Sequence, residues 1–448
     1  MDPAPDSVPN GRCVDPTGVR MSPGPAPSTH DGTASAAAGL AVAELSVLIV
    51  NYNSWRECAH AVATLRENGP TRPDGTPMPF ECIVVDNLSP YRDPGLIAQV
   101  EHELGLLARQ LGDPLAGKLV MHGENGGYSK GMNVALTHAR GRWILVSNPD
   151  VLFLPGTITR LQRHLERDPR AGCVVPKGYW DPECSGRLPP NTLPTLRELW
   201  WTTLAAFFPR VSHRYARKLA RKWVQVWNAT EPIELPMMSG CMFLIERAFF
   251  ERIGRFDERY PLYYEDTDLS LKIQQAGRAV VQVPDAHLVH FVNRSGMSDL
   301  ETMWKRHATS RGLYFRKWYG RLGSLALRFA DAVLQAKWLQ RFRKFEFATP
   351  LVDLGATDQP PVLDLGRDCE RFLVLMSLDA RFYLAAGMIG SGRTWSPSAV
   401  GFSHFVNATF YFAVYDLSGG RFKRIGSFKY HCLSHLGTSV APKAGGPA

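Results

Sequence analysis

The chain has 448 residues, of which 45% are hydrophobic and 21% are charged, with a formal net charge of +9 and eight cysteines. These values are ordinary for a globular protein of two or three domains. The cysteines form no CxxC pair and no run reaches the roughly 18 apolar residues of a membrane span, which argues against a zinc ribbon, a disulfide framework and a transmembrane helix.

Composition divides the chain into five segments. Residues 1–44 are rich in Pro, Ala, Gly and Ser and lack the apolar core of a secretory signal, so we expect a disordered arm. Residues 45–300 alternate apolar runs with helical patterns, 301–347 are helical and basic, and 348–436 contain short β-prone runs. Residues 437–448 are predicted to be a disordered tail. Scattered cysteines in apolar runs, together with the missing signal, favour a cytoplasmic protein.

Three apolar runs in the first half of the chain each end in polar residues. They lie at 46–53, 80–87 and 143–150, and helical patterns separate them. Alternating strands and helices predict an α/β fold with a doubly wound, mostly parallel sheet, in which the carboxyl ends of the parallel strands meet at one edge. The polar residues at these ends are Asn51, Asn53, Asp86, Asn148 and Asp150.

The stretch between residues 124 and 150 has the most informative pattern. A glycine turn at 125–127 opens a helical pattern, and an apolar run with β preference then ends in Ser-Asn-Pro-Asp. An amide and a carboxylate two residues apart, Asn148 and Asp150, suit a hard divalent cation that also binds diphosphate oxygens. Taken by itself, an Asn-Pro-Asp tripeptide is also a common turn, and that alternative stays open.

Two helical regions carry much of the positive charge. Residues 196–227 combine seven basic side chains with several Trp and Phe, and residues 305–344 contain eleven basic residues against a single Asp. Region 196–227 is typical either of an amphipathic helix pair that covers a core or of a patch for the membrane interface. Nucleic acid is a less fitting partner, because no recognition fold accompanies the charge.

The second half of the chain adds an acidic helix start, two histidines and a β-rich end. Residues 263–268, Tyr-Tyr-Glu-Asp-Thr-Asp, open a helical pattern, and a strand at 279–283 is followed by His287 and His290. From about residue 348, short runs separated by Gly, Pro and Asp predict a small all-β domain, either a sandwich or a barrel.

Seven motifs in a fixed order are far more specific together than any one of them alone. They are SVLIVNYN, IVVDN, ENGGYSKGMN, SNPD, MSGCMFLI, GRFDERYPLYYEDTDLSLKI and HLVHFVNRS. This series resembles the inverting, nucleotide-sugar-dependent glycosyltransferases of family 2, which have the GT-A fold, over about residues 45–320. The Asn-Pro-Asp form and the GRFDE and YYEDTDL sequences most resemble the bacterial rhamnosyltransferase and galactofuranosyltransferase branch.

The resemblance implies a role for each candidate residue. The nucleotide-sugar-binding residues that it implies are Asn51, Asn53, Asp86, Asn125, Gly126, Gly127 and Asn148. The metal ligands that it implies are Asp150 and His290, for Mn²⁺ or Mg²⁺, with His287 as a second candidate for the histidine. Asp266 would be the general base, and Glu265 beside it would position the base or the acceptor.

Reaction chemistry explains these residue types. The family usually has Asp-x-Asp where this chain has Asn148-Pro149-Asp150, so Asp150 is expected to be the main metal ligand. The cation neutralises the departing nucleoside diphosphate, while a carboxylate on the opposite face takes the acceptor's proton, so one displacement inverts the anomeric centre. The branch implies rhamnose, from a dTDP or UDP donor, moved to a glycan or polyprenyl-linked acceptor in cell-surface polysaccharide synthesis. Peripheral contact of residues 196–227 with the inner face of the membrane fits such an acceptor.

Alternatives remain open at this point. One is a galactofuranosyltransferase, and another is a nucleotidyltransferase, which would need a basic Gly-rich loop where this chain has NYNSWREC. A third is a non-catalytic glycan-binding protein with a degenerate transferase domain, against which the intact Asp86, Asp150 and Asp266 argue. Taken singly, Asp266 could be a helix N-cap, Asp86 a turn residue and His290 a structural histidine. No role is assigned to residues 348–436.

Overall fold

The computed structural model describes residues 43–72, 74–291, 300–343 and 345–433. The arm predicted for 1–44, except its last two residues, and the tail predicted for 437–448 lie outside the described residues, as does the end of the HLVHFVNRS motif.

The helices and strands of the first 290 residues alternate up to residue 147 as the sequence predicts, and beyond it two strands or two helices follow one another in places. They are β1 (Leu45–Asn51), α1 (Trp55–Glu67), β2 (Phe80–Asp86), α2 (Pro94–Leu111), β3 (Gly117–Met121), α3 (Tyr128–His138), β4 (Trp143–Ser147), β5 (Val151–Phe153), α4 (Thr157–Arg167), β6 (Ala171–Tyr179), α5 (Leu196–Ala205), α6 (Pro209–Trp227), β7 (Ile233–Leu235), β8 (Met242–Glu246), α7 (Arg247–Arg252), α8 (Glu265–Gln275) and β9 (Ala279–His290).

The remaining elements form a helical region and a second sheet. They are α9 (Leu300–Gln335), α10 (Lys337–Gln340), β10 (Leu351–Thr357), β11 (Leu363–Ser377), β12 (Ala386–Trp395), α11 (Ala399–Ser403), β13 (Ala408–Asp416), a 3-10 turn (Ser418–Gly420) and β14 (Lys423–Cys432). None of the described helices is long and apolar enough to span a membrane.

The large sheet has the order β3-β2-β1-β4-β8-β6-β9-β5, with β7 also paired to β9. Strand β1 is parallel to β2 and β4, and β2 is parallel to β3, so the predicted α/β fold is confirmed. Its second half is mixed, because β8 runs antiparallel between β4 and β6. The prediction of a mostly parallel sheet is therefore right for the half that carries the strand ends and wrong for the other half.

Apolar layers cover both faces of this sheet. In β1, Leu45, Val47 and Ile49 belong to one core and Leu48 and Val50 to the other, and the whole strand is buried. A continuous apolar run is what a parallel strand covered on both faces requires. The cysteines within such runs at 82, 173 and 241 are free and buried, as predicted.

Helix α2 shows how local sequence fixes the loop that precedes it. Asp93 caps the helix by accepting hydrogen bonds from the backbone N–H of Gly95 at 2.8 Å and of Leu96 at 3.0 Å. Pro94 occupies the first turn, where it costs no hydrogen bond, and Gly112 ends the helix at φ 65°. The loop between β2 and α2 is thereby fixed where it joins the helix.

Helix α9 is a hairpin of two helical arms. Gly320 interrupts it at φ 63° and ψ −148°, a conformation that favours glycine. Arg311 in the first arm pairs with Asp331 in the second at 2.8 Å, although a straight helix would hold these residues about 30 Å apart. Phe315 and Leu327, one from each arm, share a single buried core.

The carboxyl-terminal strands form one open sheet of five strands, in the order β10-β14-β13-β11-β12. The predicted sandwich or barrel is wrong, because a helix supplies the second layer. Helix α6 packs Trp223 and Trp227 against one face of this sheet, through Leu373, Leu375 and Tyr415. Trp223 and Trp227, which the sequence pattern made candidates for a membrane interface, are therefore buried inside the protein.

Candidate active site

The predicted polar residues meet at the edge where β1, β2 and β4 end. In the register of the sheet, Asn51 lies beside Asp86, and Ser147 lies beside Ile49 of β1. The residues after Ser147 therefore continue over the same edge. This is the crevice in which open α/β sheets bind their ligands.

Asp86 is fully buried and already has protein partners. Its carboxylate accepts hydrogen bonds from Asn51 Nδ2 at 3.0 Å, from the backbone N–H of Ser89 at 3.2 Å and from the Ser89 hydroxyl, and it pairs with Arg92 at 2.9 Å. The Asn51 amide is also internal, because its Oδ1 accepts from the Ser54 N–H at 3.1 Å. These two residues position Ser89 and Arg92 at the sheet edge, and their own contact with a nucleotide stays a prediction.

The loop after β2 holds residues that the sequence analysis missed. Asn53, at φ 57°, accepts from the Tyr91 N–H at 3.2 Å through its side chain and donates its backbone N–H to the Ser89 hydroxyl at 2.9 Å. Tyr91 is exposed, and the guanidinium of Arg92 lies at the same edge. The signal that could have found them is their position, directly after the IVVDN motif.

The glycine turn before α3 packs closely against neighbouring parts of the chain. Asn125 Oδ1 accepts from Asn87 Nδ2 at 3.2 Å and from the Gly127 N–H at 3.3 Å. Gly127 has φ 85°, and a Cβ there would lie 2.4 Å from the Pro261 carbonyl oxygen, so no other residue fits. A Cβ on Gly126 would meet the Lys130 side chain. Packing thus accounts for both glycines, and their predicted approach to a nucleotide stays a prediction.

Asp150, His290 and Asn148 form the candidate metal site. The Asp150 carboxylate lies 3.2 Å from His290 Nε2, and the Asn148 amide nitrogen lies 3.4 Å from the same atom. Pairing of β5 with β9 places Val151 opposite His290, and so brings Asp150, the residue before Val151, close to His290. Burial lowers the pKa of His290, but the interactions with Asp150 and Cys241 together outweigh burial and raise that pKa to about 10.

The second candidate histidine, His287, makes other contacts than Asp150. Its Nε2 lies 3.0 Å from the Pro284 carbonyl oxygen and its ring packs edge-on against Tyr179, so the structure favours His290 for the role. Within the described residues, no three His, Cys, Asp or Glu side chains group as metal ligands. One carboxylate and one imidazole nevertheless fit Mn²⁺ or Mg²⁺, which commonly complete their shells with substrate phosphates and water.

The start of α8 carries Glu265 and Asp266 on a strained turn. Tyr263 and Tyr264 both have left-handed backbone, at φ 63° and 68°, which is uncommon for residues other than glycine and clusters at functional sites. Tyr264 is the N-cap, so the alternative that Asp266 caps the helix is wrong. Asp266 instead accepts hydrogen bonds from the N–H of Thr267 at 2.7 Å and of Gly240 at 3.2 Å.

Both carboxyl groups hold their protons more tightly than usual. Burial raises the pKa of Asp266 in spite of its hydrogen bonds, so the helix start does not by itself make this carboxyl more acidic. Burial, and then the neighbouring Asp266 carboxylate, raise the pKa of Glu265. Glu265 is 8% exposed, and within the described residues its Oε2 has no hydrogen-bond partner. A buried polar atom of this kind is available to a ligand.

A cavity of about 400 Å³ opens beside Asp266. His307 from α9 contacts the rings of Tyr263, Tyr264 and Trp304 within it, at centroid distances of 5.6, 5.5 and 5.8 Å. The residues that line the cavity are Asn191, Thr192, Pro194, Met237, Tyr263, Tyr264, Asp266, Thr267, Met303, Trp304 and His307. Aromatic walls around a carboxylate offer a sugar ring both apolar faces and a proton acceptor.

Asp268, two residues after Asp266, anchors the α9 hairpin. It is buried and accepts from Trp318 Nε1 at 2.8 Å, and Lys317 Nζ lies 2.7 Å from its Oδ1. We expect Asp268→Asn to lower the free energy of unfolding by about 2 kcal/mol, because charged hydrogen bonds are lost in a buried setting. Urea unfolding checks this.

The matched control for Asp268 is Asp331→Asn, which removes a more exposed ion pair and should cost less than about 1 kcal/mol. Equal losses in the two variants would contradict the anchoring role.

Comparison with known proteins identifies the first part of the chain. Residues 46–254 match the model for glycosyl transferase family 2. The N-acetylglucosaminyl-diphospho-decaprenol L-rhamnosyltransferase of Mycobacterium tuberculosis strain H37Rv is 34% identical over 200 residues, which are 42% of this chain and 62% of that protein. The rhamnosyltransferase WbbL of Escherichia coli K12 is 29% identical over 79 residues, 18% of this chain and 30% of that protein. These matches therefore span less than two thirds of either relative.

Solved structures give weaker likenesses. The mannosyltransferase PcManGT from Pyrobaculum calidifontis, in complex with GDP-Man and Mn²⁺, is 19% identical at a TM-score of 0.39 and covers 68% of this chain and 75% of its own. GalNAc-T7 with UDP, GalNAc and Mn²⁺ is 17% identical at a TM-score of 0.46, and the match covers 67% of this chain and 54% of that chain. At these scores neither match indicates a ligand for this chain.

The candidate site lies partly within the matched region and partly after it. The matched region runs from β1 to the end of α7 and contains the strand edge with Asp86 and Asp150, while Asp266 and His290 follow it. Residues 46–254 of this chain are therefore similar to the glycosyl transferase family 2 domain.

Proposed function

We propose that this protein transfers rhamnose from a dTDP- or UDP-linked donor to a lipid-linked glycan, with inversion, in the synthesis of a cell-surface polysaccharide. Asn51, Asn53, Asp86, Asn125, Gly126, Gly127 and Asn148 would form the donor side of the cleft. Asp150 and His290 would hold Mn²⁺ or Mg²⁺, and Asp266 would take the acceptor's proton.

One chain of contacts carries this proposal, because it joins the candidate metal site to the candidate base. The Tyr128 hydroxyl lies 3.3 Å from Asn148 Oδ1 and 3.3 Å from the Gly240 carbonyl oxygen. The backbone N–H of Gly240 in turn donates to Asp266. The candidate metal site and the candidate base are thus linked through one short segment, which supports a single displacement between them.

Each side of the cleft has a distinct task. A bound divalent cation would neutralise charge on the departing diphosphate. Tyr128 orients the Asn148 amide beside the candidate metal ligands, and Arg92 adds a positive charge at the strand edge. Across the cleft, the aromatic cavity would hold the acceptor sugar with a hydroxyl facing Asp266. Glu265, whose pKa burial raises, would in its protonated form donate a hydrogen bond and keep the base in place.

The relatives favour the sugar and the kind of acceptor. The name of the mycobacterial relative specifies transfer of L-rhamnose to N-acetylglucosaminyl-diphospho-decaprenol, and WbbL is a rhamnosyltransferase. An acceptor of the same chemistry, a glycan on a polyprenyl diphosphate, is what we propose for this chain. The reaction would then take place at the cytoplasmic face of the membrane.

A thermal-shift panel of nucleotide sugars tests the donor. We expect dTDP-rhamnose with Mn²⁺ to raise the melting temperature more than UDP-galactofuranose, UDP-N-acetylglucosamine or GDP-mannose, because a ligand selective for the native state stabilises it by about 2.7 kcal/mol at one hundred times its Kd. A larger shift with UDP-galactofuranose would favour the galactofuranosyltransferase. If no nucleotide sugar gives a metal-dependent shift, the proposal fails.

A further inference from the structure

Large apolar side chains are exposed along α5, the second arm of α9 and α10. Leu322 is 76% exposed and Trp338 64%, values unusual for such residues. The set consists of Trp200, Leu204, Phe208, Leu322, Leu325, Phe329, Trp338 and Phe342. Residues four apart share a helix face, so Trp200 and Leu204 on α5 form one stripe and Leu325 and Phe329 on α9 form another, while Phe208 lies just before α6. We call this set the apolar patch.

Contacts between these elements make the patch one surface. Leu199 of α5 and Leu327 of α9 belong to the same buried core, and above them the rings of Trp200 and Phe329 lie 5.8 Å apart. Near the end of α5, His213 contacts the Glu346 carbonyl oxygen at 2.5 Å and ties the start of α6 to the chain after α10. The apolar patch is thus held by packed helices.

Positive charge surrounds the apolar patch. Its exposed basic neighbours in these elements are Arg197, Arg210, Arg321, Arg328, Lys337, Arg341 and Arg343. The acidic residues of α5, α6 and the second arm of α9 are Glu198 and Asp331, and both are paired, with Lys218 at 3.7 Å and with Arg311 at 2.8 Å. A surface that is apolar in the middle and cationic around it matches a bilayer with anionic headgroups.

A basic groove lies beside the apolar patch, between α5 and α6. It has a volume of about 400 Å³, and its lining residues are Trp201, Arg214, Tyr215, Arg217, Lys218, Arg221, Lys222 and Gln225. Five cationic side chains around one groove suit the phosphate of a lipid headgroup. Trp200 and Trp201 are consecutive on α5, so the groove and the patch meet at this helix.

We propose that the apolar patch and the basic groove dock the protein onto an anionic lipid bilayer. The apolar side chains would enter the headgroup region and the groove would bind lipid phosphate. This surface differs from the one expected from sequence, because Trp223 and Trp227 are buried while α9 and α10 contribute. A second copy of the chain is the less suitable occupant, since a symmetric contact would place each cationic patch against itself.

The proposal rests on the proposed function in one respect, the lipid-linked acceptor. The first arm of α9 carries Trp304 and His307 of the cavity beside Asp266, and the second arm carries Leu325 and Phe329 of the patch. The Arg311–Asp331 pair and a common core hold the two arms together. Docking would therefore bring the helix that lines the acceptor cavity to the surface in which such an acceptor is anchored.

Vesicle flotation without nucleotide tests the docking surface. We expect the protein to float with vesicles of phosphatidylcholine containing about one third phosphatidylglycerol at low salt, and at least tenfold less with pure phosphatidylcholine or at high salt, because salt screens the attraction. Leu325→Ser with Phe329→Ser should lower binding at least tenfold. Those side chains are 59% and 57% exposed, so the fold should tolerate the change.

The matched control is Leu115→Ser with Val362→Ser, whose side chains are each 58% exposed but lie outside the patch. This variant should bind vesicles like the unmodified protein. Unchanged binding of the Leu325/Phe329 variant, or equal binding to neutral and anionic vesicles, would overturn the proposal. So would sedimentation showing a dimer that this variant dissociates. Donor-induced thermal shifts in the same variants test the transferase separately, so failure of either proposal is recognisable.

Discussion

Asp266→Asn lowers the rate of sugar transfer by about two to four orders of magnitude, the usual contribution of a general base, while folding and donor binding persist. Asn cannot accept the acceptor's proton, yet it has nearly the same size as Asp. It keeps one oxygen for the N–H groups of Thr267 or Gly240 and loses one hydrogen bond, which costs about 1 kcal/mol. Product formation from donor and acceptor, with donor affinity measured in parallel, checks the expectation.

Asp268→Asn serves as the control two residues away. It should lose stability and keep most of its transfer rate per folded molecule, the reverse of Asp266→Asn. Its loss of stability follows from the buried contacts of Asp268 with Lys317 and Trp318. A variant at Asp266 with near-normal transfer, or a product that retains the anomeric configuration of the donor, would refute the single displacement.

The pH dependence of transfer gives Asp266 a second readout. Burial raises the pKa of Asp266, so the ionised base becomes abundant at a higher pH than for an ordinary Asp, and the rate should climb as pH rises through that raised pKa. Stability should change in the opposite direction. A carboxyl group whose pKa is raised by folding stabilises the native state fully below its ordinary pKa, and this contribution is lost as pH rises through the raised value. The increase of the transfer rate with pH should be absent from the Asp266→Asn variant.

Asp150→Ala should abolish turnover and the metal-dependent part of donor binding. Asp150 is the carboxylate at the end of β4, and the neighbouring Asn148 offers only a neutral amide in place of the usual second carboxylate. Without Asp150, His290 would be left as a single weak ligand. The measurement is the Mn²⁺-dependent thermal shift with donor, followed by transfer in EDTA.

Asp150→Asn separates metal binding from folding, because it preserves the size of the buried side chain. His287→Gln is the matched histidine control, since His287 lies on the same strand as His290 but contacts Pro284 and Tyr179. His290→Gln should lose Mn²⁺-dependent binding, and His287→Gln should retain it. Full activity of Asp150→Ala in EDTA would overturn the assignment.

The strand edge was predictable because its determinants are local. Apolar runs that end in Asn51, Asp86 and Asp150 set strands, and alternation with helices sets their parallel order and common edge. Whether Asp86 faces a ligand depended on the next loop, where Ser89 and Arg92 occupy its carboxylate. Sequence periodicity does not show which loop side chain turns inward.

Long-range pairing accounts for most of what the sequence did not show. An amphipathic aromatic helix has the same pattern whether its apolar face meets lipid or another part of the chain, and α6 meets strands some 150 residues away. Asp268 likewise acquires its role only from Lys317, 49 residues further on. The bend at Gly320 was equally hidden, since a single glycine within a helical pattern is often tolerated.

The covering of α6 by the carboxyl-terminal sheet has a consequence for how this protein can be divided. A chain that stopped after α10 would keep the whole family 2 domain, yet it would expose Trp223 and Trp227 and the apolar face around them. Such a fragment should aggregate or be retained by chaperones. The matched region ends at residue 254, whereas the apolar face of α6 is covered by strands from residues 363–432, so helix and sheet need to be synthesised as one unit.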